Sequence, residues 1–305
     1  FFGYFSDGGA SGSKGTSEVF AEVSIPVLAN VPLVTELNVD LSTRYTKDEF
    51  YGGAWTGGAK IGYRPVDSLL LRATYGTSYR APNLRENFLA DQTGFNTISD
   101  PCGIPADALD PVLGYDPTLD LRSPELLANC LANGIDPTDP NQADFNGFNA
   151  YSVEIARGGA KDIEEETSES LTVGFSFEQP FWNEFDMSLG FSYYDIEVEN
   201  SIIEPSGGYI VNSCYNAAPN NPSSFCGNIT RGADYRIEMV NAYFTNRDSE
   251  RARGMDYTFD YRHDITVADL PFSLYAGIQA TRILESSETY SDDNGNELYY
   301  DSVGR

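Results

Sequence analysis

Histidine is nearly missing from this 305-residue chain, which has only His263. Any Ser-His-Asp triad would have to use it. Asp264 stands beside it, but no nucleophile is placed near, so enzymatic catalysis is not expected. Long apolar runs are also missing. No stretch approaches about 18 apolar residues, which excludes a transmembrane helix. It does not exclude a membrane, because barrel strands carry only alternating apolar residues. Basic residues are scarce, 19 against 46 acidic, for a formal charge of −27. Such a balance repels nucleic-acid phosphates. It suits a wet lumen and solvated loops, and equally the ordinary acidic surface that keeps proteins soluble. Cysteine is limited to four, none in a CxxC pair. They read as two disulfides in an oxidising compartment rather than a zinc site. The opening FFGYFSDGG lacks a basic segment and an apolar core, so no signal peptide is present. For an exported chain this points to a missing beginning.

Aromatic residues are plentiful, with 20 Tyr and 18 Phe, and much of the chain alternates with a period of two. Residues Asp67 to Asn87 read DSLLLRATYGTSYRAPNLREN. Leu69, Leu71, Ala73, Tyr75, Thr77 and Tyr79 fall on one face; Ser68, Arg72, Thr74, Gly76, Ser78 and Arg80 fall on the other. This predicts a strand with one apolar and one polar side, interrupted on the polar side by Leu70 and ended by Pro82. Similar alternation predicts strands at Glu18–Ile25, Leu33–Lys47 and Gly52–Arg64, with a turn over Pro26–Pro32. It continues from about Leu171 to Phe177, from Phe185 to Asn200, over about Tyr235–Arg262, and over Phe272–Ala280. A ninth strand begins at Tyr299. Leu33–Lys47 is longer than the usual 5–6 residues of a soluble strand and long enough for the 9–11 residues that cross a bilayer.

Between the strands, turns and loops alternate in length. Arg64–Ser68, Pro180–Asn183 and a turn predicted at His263–Leu270 are short. Residues 81–165 form a long unpatterned segment rich in Asp, Pro and Asn, and a second loop covers about 200–235. Within the first, Ser123-Pro124-Glu125 predicts a short helix closed by Gly134. Cys102 and Cys130 lie in the first loop, Cys214 and Cys226 in the second. The expected pairing is Cys102–Cys130 and Cys214–Cys226, so neither bond crosses between loops. Asp292-Asp293-Asn294-Gly295 fails the spacing of an EF-hand and reads as a hairpin turn. Asn228-Ile229-Thr230 is a sequon by pattern alone.

The run Leu71-Arg72-Ala73-Thr74-Tyr75-Gly76-Thr77-Ser78-Tyr79-Arg80-Ala81-Pro82-Asn83-Leu84-Arg85-Glu86 resembles the "lRasyg.gyRAP.l.El" phrase of TonB-dependent outer-membrane receptors. Glu166 to Gly174 is similar to the second half of that family's re-entry phrase, with Glu165 replacing its proline. Phe191 to Asn200 resembles its "l..DYYdI.i.naI" strand, with Ser192 for the first Asp. Cys214-Tyr215 through Phe225-Cys226 to Arg231 resembles a "Cy…fC..i.R" loop, and Asn246 with Gly254-Met255-Asp256 an "N…..GiD" segment. The resemblance covers nearly the whole chain.

It implies an all-β fold: a partial transmembrane antiparallel β-barrel of about nine strands over residues 1–305, with long extracellular loops and no plug domain within the chain. Implied with it are the bacterial outer membrane, contact with its lipid, and capture of a scarce nutrient for TonB-driven import. The TonB complex would be reached through an upstream region, so this polypeptide alone is expected to transport nothing. The loop cysteines resemble those of receptors for oligosaccharides, with siderophore and cobalamin open. A passive pore or adhesin, or a secreted β-sandwich, is the alternative. Arg80 and the loop aromatics Tyr115, Phe145, Phe148 and Tyr151 are candidate ligand contacts, although the aromatics could instead pack the loop's own core. Arg44, Lys60, Arg64, Arg72 and Arg80 are expected to pair across strands.

Overall fold

A computed structural model describes residues 9–110, 112–145, 149–217, 223–291 and 297–304. In chain order its elements are β1 (Thr16–Val31), β2 (Val34–Asp48), β3 (Gly52–Val66), β4 (Leu69–Arg80) and α1 (Leu84–Phe88). Then come β5 (Gln92–Ser99), β6 (Leu109–Asp110), β7 (Gly114–Tyr115), α2 (Pro124–Ala132), α3 (Pro140–Ala143) and β8 (Ala150–Arg157). The last group is β9 (Glu166–Glu178), β10 (Phe185–Ile203), α4 (Gly207–Tyr215), β11 (Ile229–Arg231), β12 (Ile237–Asn241), β13 (Thr245–Val267), β14 (Leu270–Ser291) and β15 (Glu297–Asp301).

Nine strands pair in the order β1-β2-β3-β4-β9-β10-β13-β14-β15, and neighbouring strands in this sheet are antiparallel among the described residues. Among the described residues this wall is not closed on itself. Directly opposed residues share a face, so register shows what each face carries. One row runs Val39, Ile61, Ala73, Val173, Tyr193, Met255 across six strands. The row beside it runs Leu37, Tyr63, Leu71, Phe175, Phe191, Tyr257. Phe177, Leu189, Phe259 and Ile278 make a third. The opposite face carries Asn38, Gly62, Arg72, Gly174, Ser192, Asp256 and Thr281 in one row. No second layer covers the apolar rows: Val173 is 43% and Ile278 61% exposed. In hydrocarbon that arrangement is favourable, since the sheet ladder satisfies the backbone and the side chains match lipid.

The apolar face ends at one level. From Phe185 to Tyr193, β10 presents apolar residues on this face, about the 9–11 residues that a bilayer crossing needs. The next residues on that face are Asp195, Glu197 and Glu199. Across the sheet at the same level stand Arg253 and Glu285. Arg251 donates to Asp195 at 2.8 and 2.9 Å, and Arg253 pairs Glu285 at 2.8 Å. At the other end, Phe181, Trp182, Phe185, Tyr261 and His263 cluster with ring centroids 5.2–6.2 Å apart. Such a cluster suits a membrane–water boundary. Four short turns fall at this end; both long loops and the short turn over residues 49–51 fall at the other.

Four sequence expectations need correction. Pro26–Pro32 is not a turn: β1 continues to Val31 and reverses at Pro32–Leu33, with Leu33 at φ +66°. Pro26 lies on the edge strand of the described sheet, beside a register shift between Pro26 and Leu28, places where a strand accepts proline. Tyr235–Arg262 is not one strand. Ile237–Asn241 belongs to the second loop, and the wall strand starts at Thr245. His263 therefore lies within β13, where Tyr261 Oη and its Nδ1 are 3.0 Å apart. The turn is Ala268–Asp269, both at positive φ (50° and 64°), the conformation of a tight hairpin. Residues 81–165 are not unpatterned chain but folded structure, described next. The hairpin turn read at Asp293–Asn296 lies outside the described residues.

The polar-face charges pair across strands as expected. Arg44 reaches Glu18 (3.4 Å), Lys60 Asp40 (4.0 Å) and Arg64 Glu36 (3.9 Å). Arg72 is bonded differently, donating to the Ser192 hydroxyl at 3.1 Å.

Candidate functional site

The two long loops fold together into one cap above the wall. A four-stranded sheet in the order β11-β12-β8-β5 draws two strands from each loop. Its central seam is the parallel pairing of β8 with β12, matching Glu154 to Met239, Ile155 to Val240 and Ala156 to Asn241. One face of this sheet packs a core containing Ile98, Val153, Ile155, Ile237 and Val240 with Ile210 and Val211 of α4. Most of these side chains are 0–2% exposed. Helix α2 forms where its signals predict: Ser123 Oγ accepts from Leu126 N–H at 3.2 Å, Pro124 opens the first turn, and Gly134 takes φ +85°. Asn129 Nδ2 then donates to the Tyr215 and Ala217 carbonyls (3.0 and 2.7 Å), joining α2 to the end of α4.

Each loop carries one disulfide, Cys102–Cys130 and Cys214–Cys226, in the expected pairing. Between the loops an ion pair adds to the backbone pairing of β8 with β12. Arg231 grips Asp100 with two bonds, at 2.7 and 2.9 Å, across 131 residues of sequence. Its Nε also donates to Tyr215 Oη (3.0 Å), and its guanidinium to the Tyr235 carbonyl (2.7 Å). Tyr151 Oη donates to Asp100 (2.6 Å) and accepts from the Ile237 N–H (2.7 Å). Burial, then the neighbouring Asp100 carboxylate, pushes the Tyr151 phenol well above its usual range. Burial also raises Tyr215. For Arg231 burial works against the charge, but the Asp100 contacts outweigh it and its pKa rises. A buried charge satisfied on this many sides is costly to half-remove.

A second anchor holds the segment 102–137. Arg122 donates to the Cys102, Gly103 and Pro137 carbonyls (2.9, 3.1 and 2.8 Å) and pairs Asp120 at 2.7 Å. Burial alone would raise the Asp120 carboxyl, yet the Arg122 bonds hold it at about 2.

The cap is fixed to the mouth of the wall. Arg85 and Arg157 both reach Glu204, at 2.9 and 3.6 Å. Asn246 Nδ2 donates to the Asn200 and Glu164 carbonyls (2.6 and 3.1 Å). Leu89, Ile163 and Phe244 form a small core at the junction. Gly159 crosses here so closely that a Cβ would lie 2.6 Å from the Asn87 backbone, which only glycine allows.

The sequence-predicted contacts are placed as follows. Arg80 ends β4 and pairs Glu86 at 3.0 Å and also Glu166. Tyr115 packs against the cap core and donates to Asp120 at 2.8 Å. Phe145 is 2% exposed, edge-on to Tyr151 at 5.7 Å, with Arg236 over both rings. Of the two readings open to these rings, Phe145 and Tyr151 are engaged in packing the cap; Phe148 lies outside the described residues. Asp100 and Arg231 were missed. Arg231 is the closing residue of the "Cy…fC..i.R" phrase, so a signal for it was present. Asp100 carried none beyond its place two residues before Cys102. Among the described residues no group of His, Cys, Asp and Glu could hold a metal ion.

Comparison with known proteins gives the following. No curated protein matches. Solved structures that resemble the fold include the siderophore receptor PirA from Acinetobacter baumannii, at 11% identity, covering 94% of this chain and 38% of that one, with a TM-score of 0.44. PirA from Pseudomonas aeruginosa gives 12%, 95%, 45% and 0.45. A double mutant of the Serratia marcescens hemophore receptor HasR, in complex with its hemophore HasA and heme, gives 14%, 95%, 38% and 0.47. The chain thus spans less than half the length of the receptors it matches. The family model of the TonB-dependent receptor-like β-barrel matches residues 2–303. The chain belongs to the TonB-dependent receptor-like β-barrel family.

Proposed function

We propose that this chain is the wall and part of the extracellular cap of an outer-membrane receptor that captures a scarce nutrient for TonB-driven import. The observation that carries this reading is the division of the molecule by height: an apolar-faced sheet of membrane-spanning strands, short turns at one end, and a disulfide-locked cap at the other. A cap built this firmly on the cell-surface side is suited to preorganised capture, since little of it has to be ordered on binding. The ligand is oligosaccharide-like in this reading, with siderophore and cobalamin the other classes, and coupling to the TonB complex belongs to parts of the receptor outside this chain. The polar wall pairs are structural, and no residue is assigned a catalytic role.

The test is energised uptake by cells carrying the full receptor. Uptake of the nutrient should stop when the proton-motive force is collapsed and when TonB is deleted, with the receptor still in the outer membrane. Uptake that continues unchanged in both conditions would identify a passive pore instead.

A further inference from the structure

We infer that the outward face of the wall seats one particular lipid, with an acyl chain in a furrow across β9, β10, β13 and β14 and a phosphate on Arg282. The inference rests on the membrane placement proposed above and goes beyond general contact with lipid. On that face a groove of about 430 Å³ is lined by Phe175, Phe191 and Tyr257 from one row and by Leu189, Phe259 and Ile278 from the next. Phe175 and Phe191 lie 5.9 Å apart and Phe191 and Tyr257 5.4 Å, so the three rings make a continuous ridge. The volume is that of a small-molecule site. Its outward-facing side chains are apolar or aromatic, which suits hydrocarbon rather than a polar solute. β9, β10 and β13 each have both sheet neighbours among the described residues. The rest of a closed barrel adds strands beside this face and none over it, because the face is the barrel's outside.

The furrow has a direction. Strands of such a wall tilt by about 35–45°, so a row of paired residues climbs or descends through the membrane. The polar boundary shows which. On β3 the outward face is still aromatic at Trp55, three outward positions above Ile61. On β10 it turns acidic at Asp195, one position above Tyr193, and on β14 Arg282 already stands in the row of Tyr193 and Met255. Rows therefore climb toward the cap side from β3 to β14, and the furrow surfaces near Arg282. That residue is two beyond Ala280, the partner of Tyr257, and so about 7 Å above the furrow's end. Arg282 is exposed, and among the described residues it makes no hydrogen bond or ion pair. In the row above, Asp195 is held by Arg251 and Glu285 by Arg253, each at 2.8 Å, so both carboxylates are already engaged. A guanidinium at the polar boundary over an apolar furrow is complementary to a lipid with an acyl chain below and a phosphate above. Arg282 lies on the cap side, hence in the outer leaflet, where the lipid carrying both is the lipid A of lipopolysaccharide.

In the test, the full receptor is extracted from outer membranes and the lipid A retained through a fixed detergent exchange is counted by native mass spectrometry. Retained lipid A is expected on the wild type. Arg282→Gln should lower retention more than tenfold, and Arg282→Lys should keep most of it. Ile278→Trp, which fills the furrow and keeps the face apolar, should expel the lipid to a similar extent. Both positions are exposed, so unchanged melting temperatures are expected and separate a lost lipid from a lost fold. Added back to stripped receptor, lipid A without its phosphates should bind no better to wild type than to Arg282→Gln. No retained lipid A, a phospholipid in its place, or retention unchanged in Arg282→Gln or Ile278→Trp would overturn the inference. Energised uptake by a wild-type receptor that retains no lipid A would leave the receptor reading standing and remove this one. Arg282-dependent lipid A on a receptor without energised uptake would do the reverse.

Discussion

The wall and the cap solve opposite problems with the same kinds of residue. In the wall, Val19 is 62% and Leu274 52% exposed, with no second layer over the apolar face. In the cap, Ile155 and Ile210 are fully buried beneath helices and loops. The difference is the solvent. A strand facing hydrocarbon needs only an apolar outer face and a complete backbone ladder, which neighbouring strands supply. A cap in water must find its own interior, and its short elements cannot provide one without cross-links. Two disulfides and the buried Arg231–Asp100 and Arg122–Asp120 pairs supply them. The wall should therefore respond most to a charge on its outer face, and the cap to loss of a single interior partner.

The largest effect is expected from Arg231→Met. It leaves Asp100 buried without its guanidinium, a change that costs about 3–5 kcal/mol. Limited proteolysis should cut both loops of this variant while the wall strands stay protected. Asp100→Asn should be milder, because the amide can still accept from Tyr151. Equal protection of loops in variant and wild type would mean that the two loops do not depend on one another.

Removing Cys102–Cys130 with paired alanines should cost roughly 3–4 kcal/mol in the chain-entropy view. The loss should be confined to the cap, read as faster hydrogen exchange in α2 and β8 than in β10. Arginine at Val39 is expected to cost about 2–4 kcal/mol if the site lies at mid-bilayer. The same change at Ser42, on the polar face, should cost much less. Equal penalties at the two positions would remove the distinction between the faces.

The smallest expected effect is one of pH. The Asp120 carboxyl is held at about 2 against an ordinary 3.8. Its folded value is depressed, so its contribution is complete above about pH 4 and is lost as pH falls through about 2. Asp120→Asn should flatten that acid dependence, lowering the cap's stability above about pH 4 and leaving it nearly unchanged below about pH 2. A variant with the full wild-type acid slope would place the dependence elsewhere.

How much of this was legible in the sequence follows the same division. The wall was readable because a strand with one lipid face writes its own period. Leu33–Lys47 was expected and Val34–Asp48 is observed. Where local cues conflicted with pairing, pairing won: Pro26 suggested a turn, but a register shift absorbed it. The cap was not readable, because β8 and β12 pair in parallel from separate loops and neither strand announces the other. Helix α2 was the exception, since Ser123, Pro124 and Gly134 are local signals. The aromatic residues Phe145 and Tyr151 suggested ligand stacking as readily as packing, and only the contacts with Arg236 and Asp100 show how they are engaged.

The central claim is that one face of the nine-stranded sheet meets lipid. Nitroxide labels placed singly at Val39, Leu71, Val173 and Phe259, and for contrast at Ser42 and Thr74, would test it in the full receptor in bilayers. Relaxation by oxygen, which concentrates in lipid, should dominate at the first four positions, and relaxation by a water-soluble nickel chelate at the other two. Equal access to the nickel chelate at all six would contradict the account.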